Sequence, residues 1–184
     1  MKRLFLLLAF SLCTLSFVNA QEKIKLKIVY SENIQDTFFD VKFGASKKEV
    51  IKGFKNHGLD FSKKRSTDDI LTFYPSEANF SFCGISWKNL TASLSNDKFF
   101  SLGFTALYAD EETALKDFEL VLSELSSKYE MNELPIEDSN IYKSYLAFSE
   151  KENGVMISLE KGEGREGKVI YYISLDYEDK TLDR

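Results

Sequence analysis

With 184 residues, 29 acidic side chains against 24 basic ones and a single histidine, the chain is sized for one domain and carries a formal charge of −5. Its charges interleave without a basic cluster, which excludes the electrostatic footprint of a nucleic-acid binder or of a protein docked on an anionic membrane. One histidine and two cysteines cannot supply the usual ligand sets of a histidine-based zinc site.

Residues 1–20 read as a secretory signal. Lys2 and Arg3 give a basic start, Leu4 to Phe10 an apolar stretch extended by Leu12 and Cys13, and Val18-Asn19-Ala20 a cleavage-like tripeptide. Cleavage after Ala20 predicts a periplasmic or secreted protein beginning at Gln21. The apolar stretch is broken by Ser11, Thr14 and Ser16, and no segment approaches the roughly 20 apolar residues of a membrane span. Leu12 is bulky where a lipoprotein signal wants a small residue, so cleavage is preferred to acylation at Cys13. Removing residues 1–20 leaves 164 residues with 22 basic and 29 acidic side chains, a charge of −7. A chain of this size buries about 70% of its unfolded surface, enough for one core, so residues 21–184 are expected to form a single domain.

Lys23 to Ile28 alternates lysine with apolar residues and predicts a half-buried strand. Phe38, Phe39, Val41 and Phe43 lead into Ser46-Lys47-Lys48-Glu49, a capping box that opens a short helix over about residues 47–57, stopped by Gly58. Four strands are expected next: Ile70 to Tyr74, Asn79 to Trp87, Leu90 to Ser95 and Phe99 to Tyr108, the last two joined at Asn96-Asp97-Lys98. Their inward residues are Leu90, Ala92 and Leu94 against Phe100, Leu102 and Phe104. Asp110 caps a second helix, where Ala114, Leu115, Phe118, Val121, Leu122, Leu125 and Tyr129 keep helical spacing over about 19 residues. Strands over about 142–149, 155–161 and 168–177 follow, the first two joined by a hairpin at Asn153-Gly154. Few helices among runs of antiparallel strands argue for an α+β fold, an antiparallel meander sheet with both helices on one face. Helix-then-meander occurs twice, around residues 44–108 and 110–177, which suggests two halves.

Chemistry is sparse along this chain. Gly162-Glu163-Gly164-Arg165-Glu166-Gly167 matches the spacing of a dinucleotide loop, but a strand pattern follows where the chemistry needs a helix N-terminus. It reads as a hairpin loop. His57 sits where a helix C-terminus favours positive charge, without a nominated nucleophile or orienting acid. Asp68-Asp69, Asp110-Glu111-Glu112 and Glu133, Glu137, Asp138 read as solvated charge. Cys83, in the apolar run Phe80 to Ile85, reads as a small buried hydrophobe. No cofactor and no metal are expected. The polar positions of the strands place Thr91, Ser93, Ser101, Thr105, Lys143, Tyr145, Ser158, Tyr172 and Ser174 on the side away from the helices. Hydroxyls with a few tyrosines are the chemistry of an adaptable recognition surface. Lys143, Tyr145, Ser158 and Tyr172 are the candidate partner-binding residues.

The run Phe43-Gly44-Ala45-Ser46-Lys47-Lys48-Glu49-Val50-Ile51, the helix ending at Gly58, Phe82-Cys83-Gly84-Ile85, Asn96-Asp97-Lys98-Phe99 and Leu125-Ser126-Ser127-Lys128-Tyr129 resemble a group of small exported bacterial proteins. These are the β-lactamase-inhibitor-protein-like and small-outer-membrane-lipoprotein-A-like proteins. The resemblance covers about residues 38–130, rests on structural motifs and carries over no functional residue. It implies binding of other proteins or support of envelope assembly, without a shared catalytic site. The expectation is therefore an exported, non-enzymatic module that binds a protein or peptide, with an envelope assembly accessory as the alternative and a carboxylate-based hydrolase third.

Overall fold

The structure is a computed structural model that describes residues 29–77, 80–136, 138–164 and 167–182. The signal segment and the strand expected at Lys23 to Ile28 lie outside them. Strands β1 (Thr37–Phe38) and β2 (Val41–Lys42) form a small hairpin before helix α1 (Lys47–Asn56). Then come β3 (Leu59–Phe61), β4 (Ile70–Pro75), β5 (Ser81–Phe82), β6 (Ile85–Ser86), β7 (Asn89–Ser95) and β8 (Lys98–Tyr108). Helix α2 (Glu111–Ser126) precedes β9 (Asn132–Glu133), β10 (Ile141–Phe148), β11 (Asn153–Glu163) and β12 (Val169–Asp179). Among the described residues no helix is long and apolar enough to cross a membrane.

One eight-stranded antiparallel sheet has the order β3-β4-β7-β8-β12-β11-β10-β9. Each half of that order is a four-stranded meander preceded in sequence by one helix. The two units meet where β8 pairs with β12, so their strands form one continuous sheet. This is the α+β arrangement that the strand runs predict.

Both helices cover the same face. Pairing carries one inward row across seven strands: Phe61, Phe73, Leu90, Phe104, Leu175, Ile157 and Tyr145. Phe54 of α1 packs its ring 4.8 Å from Phe73, and Phe118 of α2 lies 6.2 Å from Tyr145 at the far end of the row. Between the helices, Phe82 of the β5–β6 hairpin stacks on Phe104 at 4.6 Å, and Phe38 meets Tyr177 at 4.8 Å. Aromatic pairs of this kind contribute about 0.5–1.5 kcal/mol each beyond the area they bury.

The helix ends follow their sequence signals. Ser46 N donates to Glu49 Oε2 at 2.8 Å, completing the capping box, and the Ser46 hydroxyl and amide hold the Glu49 carboxyl below its ordinary range. Asp110 Oδ1 accepts from Thr113 N at 2.8 Å at the start of α2. That helix ends at Ser126, shorter than its apolar spacing suggests, and Tyr129 lies beyond it, accepting from Gln35 N.

Three local expectations are corrected. The stretch expected as one strand through Trp87 is two short strands reversed at Cys83-Gly84, both with positive φ (50° and 79°). The Asn153-Gly154 pair already lies within β11, and the turn precedes it, with Glu152 in the left-handed region at φ 64°. Phe99, not Phe100, is the core residue of β8. The register shifts between Ser93 and Leu94, pairing Ser101 with Ser93 and Phe99 with Leu94, so Phe100 becomes the extra residue of a bulge. Phe99→Ala should therefore destabilise the protein by about 3–5 kcal/mol, and Phe100→Ala by about 1 kcal/mol, as measured by urea unfolding.

Candidate functional site

The face away from the helices is built from the alternate residues of the same strands. Its middle row runs Asn89, Thr105, Ser174, Ser158 and Ser144 across five strands. On one side lies the row Thr72, Thr91, Gly103, Asp176, Met156, Leu146 and Asn132. On the other lie Leu107, Tyr172 and Glu160. A fourth row holds Ile70, Ser93, Ser101, Glu178, Gly154 and Phe148. The middle of the face is floored by serine, threonine and glycine. Ser158 and Ser144 are only 4% and 7% exposed although no helix covers them, because taller side chains stand on either side. At the β4–β7 end, Tyr74 OH and Asn89 Oδ1 are enclosed and without hydrogen-bond partners.

A hydrogen-bonded cluster occupies that centre. Tyr172 OH donates to Glu160 Oε2 at 2.7 Å, Ser158 Oγ donates to Glu160 Oε1 at 2.9 Å, and Ser158 Oγ lies 2.7 Å from Ser174 Oγ. Burial, then the bond to Glu160, push the Tyr172 hydroxyl above its ordinary pKa, so it stays a donor at physiological pH. One row away, Asp176 faces Gly103. A Cβ at that glycine would stand 2.5 Å from Asp176 Oδ1, so the glycine makes room for the carboxyl to lie down on the sheet. Burial raises the Asp176 pKa to about 7, Glu160 and Glu178 add to the rise, and a hydrogen bond with Ser174 opposes it. Asp176 stays partly exposed on this uncovered face.

The four residues expected to share this face do not all do so. Ser158 and Tyr172 are on it, part of one cluster. Lys143 and Tyr145 are on the helix side: Tyr145 pairs with inward-facing Ile157 and touches Phe118, while Lys143 reaches Glu119 of α2 in an ion pair. The physical reason is register. A strand offset by one residue presents its other side, and β10 enters its pairing through an irregularity between Ile141 and Lys143 that the alternation of residue types does not reveal. Asp176 and Glu160 were missed as site residues. The readable signal for Asp176 was a carboxylate at an alternating strand position, but Gly103 opposite it emerges only from the pairing.

Elsewhere the chemistry-bearing residues do structural work. His57 caps α1, and its Nε2 lies 2.8 Å from Asp40 Oδ2, tying the helix end to the β1–β2 turn. Gly162 belongs to β11, and Gly164 N donates to Lys168 O at 2.7 Å, closing the β11–β12 hairpin. Among the described residues, which leave out Glu137, the three carboxylate clusters do not converge: Asp68 meets Lys47, Asp110 caps α2 and Glu133 lies on β9. Among the described residues no group of three or more potential ligands could hold a metal ion. Cys83 is buried, and burial, reinforced by Glu124 and only partly opposed by Lys128, pushes its thiol up to about 12.

No protein family, no curated protein and no solved structure matches the chain.

Two measurements check this electrostatic picture. An Asp176 carboxyl with a pKa raised from 3.8 to about 7 makes the folded chain hold one more proton than the unfolded chain between those values. Its stabilising contribution is present below pH 3.8 and is lost as pH rises through 7. Asp176→Asn should leave stability nearly unchanged at acid pH and raise it by about 1–3 kcal/mol at pH 8, read from urea unfolding at both. Cys83 should resist a thiol-labelling reagent in the folded protein at pH 8 and react fully once unfolded.

Proposed function

We propose that the protein is an exported, non-enzymatic binding module whose helix-free sheet face takes a protein or peptide. The observation that carries this reading is the face itself, a continuous surface spanning the strands of both units, floored with hydroxyls and rimmed by Tyr172, Leu107 and Met156. Surfaces of this composition make many adaptable hydrogen bonds around a few apolar contacts, which suits recognition of another chain. Leu107, directly paired with Tyr172, is 52% exposed and supplies the apolar contact. The secretory reading of residues 1–20 and the likeness to exported binding and assembly proteins support the same conclusion.

Catalysis lacks support by comparison. In the cluster on this face Ser158 donates to Glu160 and lies against Ser174 while only 4% exposed, so its hydroxyl is engaged in the network rather than presented to a substrate.

A displayed peptide library selected on the immobilised protein tests the proposal. Selected binders should lose about tenfold or more of their affinity with Tyr172→Ala or Leu107→Ala and none with Leu120→Ala, which alters an exposed residue of α2. Binders insensitive to both sheet-face variants would move recognition elsewhere, and a protein that pellets wholly with envelope membranes would favour the assembly role.

A further inference from the structure

The charge on the helix-free face narrows what it takes. Three carboxylates, Glu160, Asp176 and Glu178, stand on the adjacent strands β11 and β12, and the paired rows that contain them hold no lysine, arginine or histidine. Two cations stand at the margins of the face: Lys180, two residues beyond Glu178, has its Nζ 4.7 Å over the Phe148 ring, and the Arg65 guanidinium lies 5.7 Å over the Tyr74 ring. Asp176 is at the centre, with its carboxyl settled against Gly103 and beside the small side chains of Thr105 and Ser174. Small side chains flank Asp176 toward β8, while Met156 stands opposite it on β11. A long side chain from a partner can reach the carboxylate between the taller Tyr172 and Met156.

Resting on the binding reading above, we infer that this face accepts an extended segment of another protein presenting a lysine or arginine to Asp176 and Glu160, with a neighbouring apolar side chain against Leu107. Charge complementarity selects this occupant. An acidic or phosphorylated segment would meet three carboxylates, and like charges brought together across an interface are a strong rejecting element. A wholly apolar segment would cover the Asp176 and Glu160 carboxyls without supplying an opposite charge, which costs the desolvation of ionisable groups. A basic side chain removes that cost and makes charge-assisted hydrogen bonds, with arginine able to engage a carboxylate through two parallel N–H donors.

The test uses three hexapeptides titrated into the isotopically labelled protein at low salt: alternating arginine and valine, alternating glutamate and valine, and alternating glutamine and valine. The arginine peptide should bind at least tenfold more tightly than the other two, lose affinity as salt is raised, and shift the amides of Gly103, Ser158 and Ser174. The double variant Glu160→Gln, Asp176→Asn should weaken it about tenfold while the protein stays folded by circular dichroism, and Glu111→Gln on α2 should leave it unchanged. Equal binding of all three peptides at these amides, or preference for the glutamate peptide, overturns the cationic occupant and leaves the binding reading standing. Absence of any shift with all three overturns both. Self-association by sedimentation that the double variant abolishes would assign the face to a second copy of this chain and overturn the inference.

Discussion

The pairing of β8 with β12 is the constraint from which the rest of the structure follows. Each helix-plus-meander unit taken alone would present four strands with an unpaired inner edge, and an exposed edge is a template for uncontrolled association. Joining the two last strands, from Tyr171 opposite Tyr108 to Glu178 opposite Ser101, removes both edges at once. It also fixes which residues share a side. Phe104 and Leu175 are brought together under the helices, and Gly103 and Asp176 are brought together on the other face. A slip of one residue would put the aspartate into the aromatic core.

That pairing also explains why one face is available at all. Two helices, the β1–β2 hairpin and the β5–β6 hairpin crowd onto the side lined by Phe73, Phe99, Phe104 and Tyr177, where rings meet at 4.6 to 6.4 Å. Apolar area drives that layer together, and once it is covered nothing comparable remains to recruit a second layer. The opposite side is left to hydroxyls, carboxylates and scattered apolar residues. An antiparallel sheet tolerates this, since water satisfies the outer side chains while the ladder satisfies the backbone.

The same division separates the residues that hold the fold together from those of the proposed binding face. Tyr145, Lys143, His57 and Cys83 all carry chemistry that sequence reading notices, and all are engaged in holding the helix side or its margins together. Tyr172, Glu160 and Ser158 are held by each other on the free side, and one row away Asp176 bonds to Ser174 in surroundings that disfavour its ionised form. A carboxyl of that kind on a face no helix covers is an arrangement that a cationic partner relieves.

The sequence by itself determined the elements: the capping box at Ser46, the cap at Asp110, the apolar stripe of α2 from Ala114 to Leu125 and the alternation in β7 and β12 each express local stereochemistry and solvent preference within a few residues. It also determined the fold class, because strand runs with few helices permit little besides an antiparallel sheet with helices on one side. The tertiary structure alone decided that the two meanders form one sheet, that Phe99 displaces Phe100, and that Lys143 and Tyr145 turn inward while Asp176 lies over Gly103. Those outcomes depend on register between segments as far apart in sequence as β8 and β12. With a side-chain period of two, a single bulged residue reverses which face a strand presents, and no local pattern records where that residue falls.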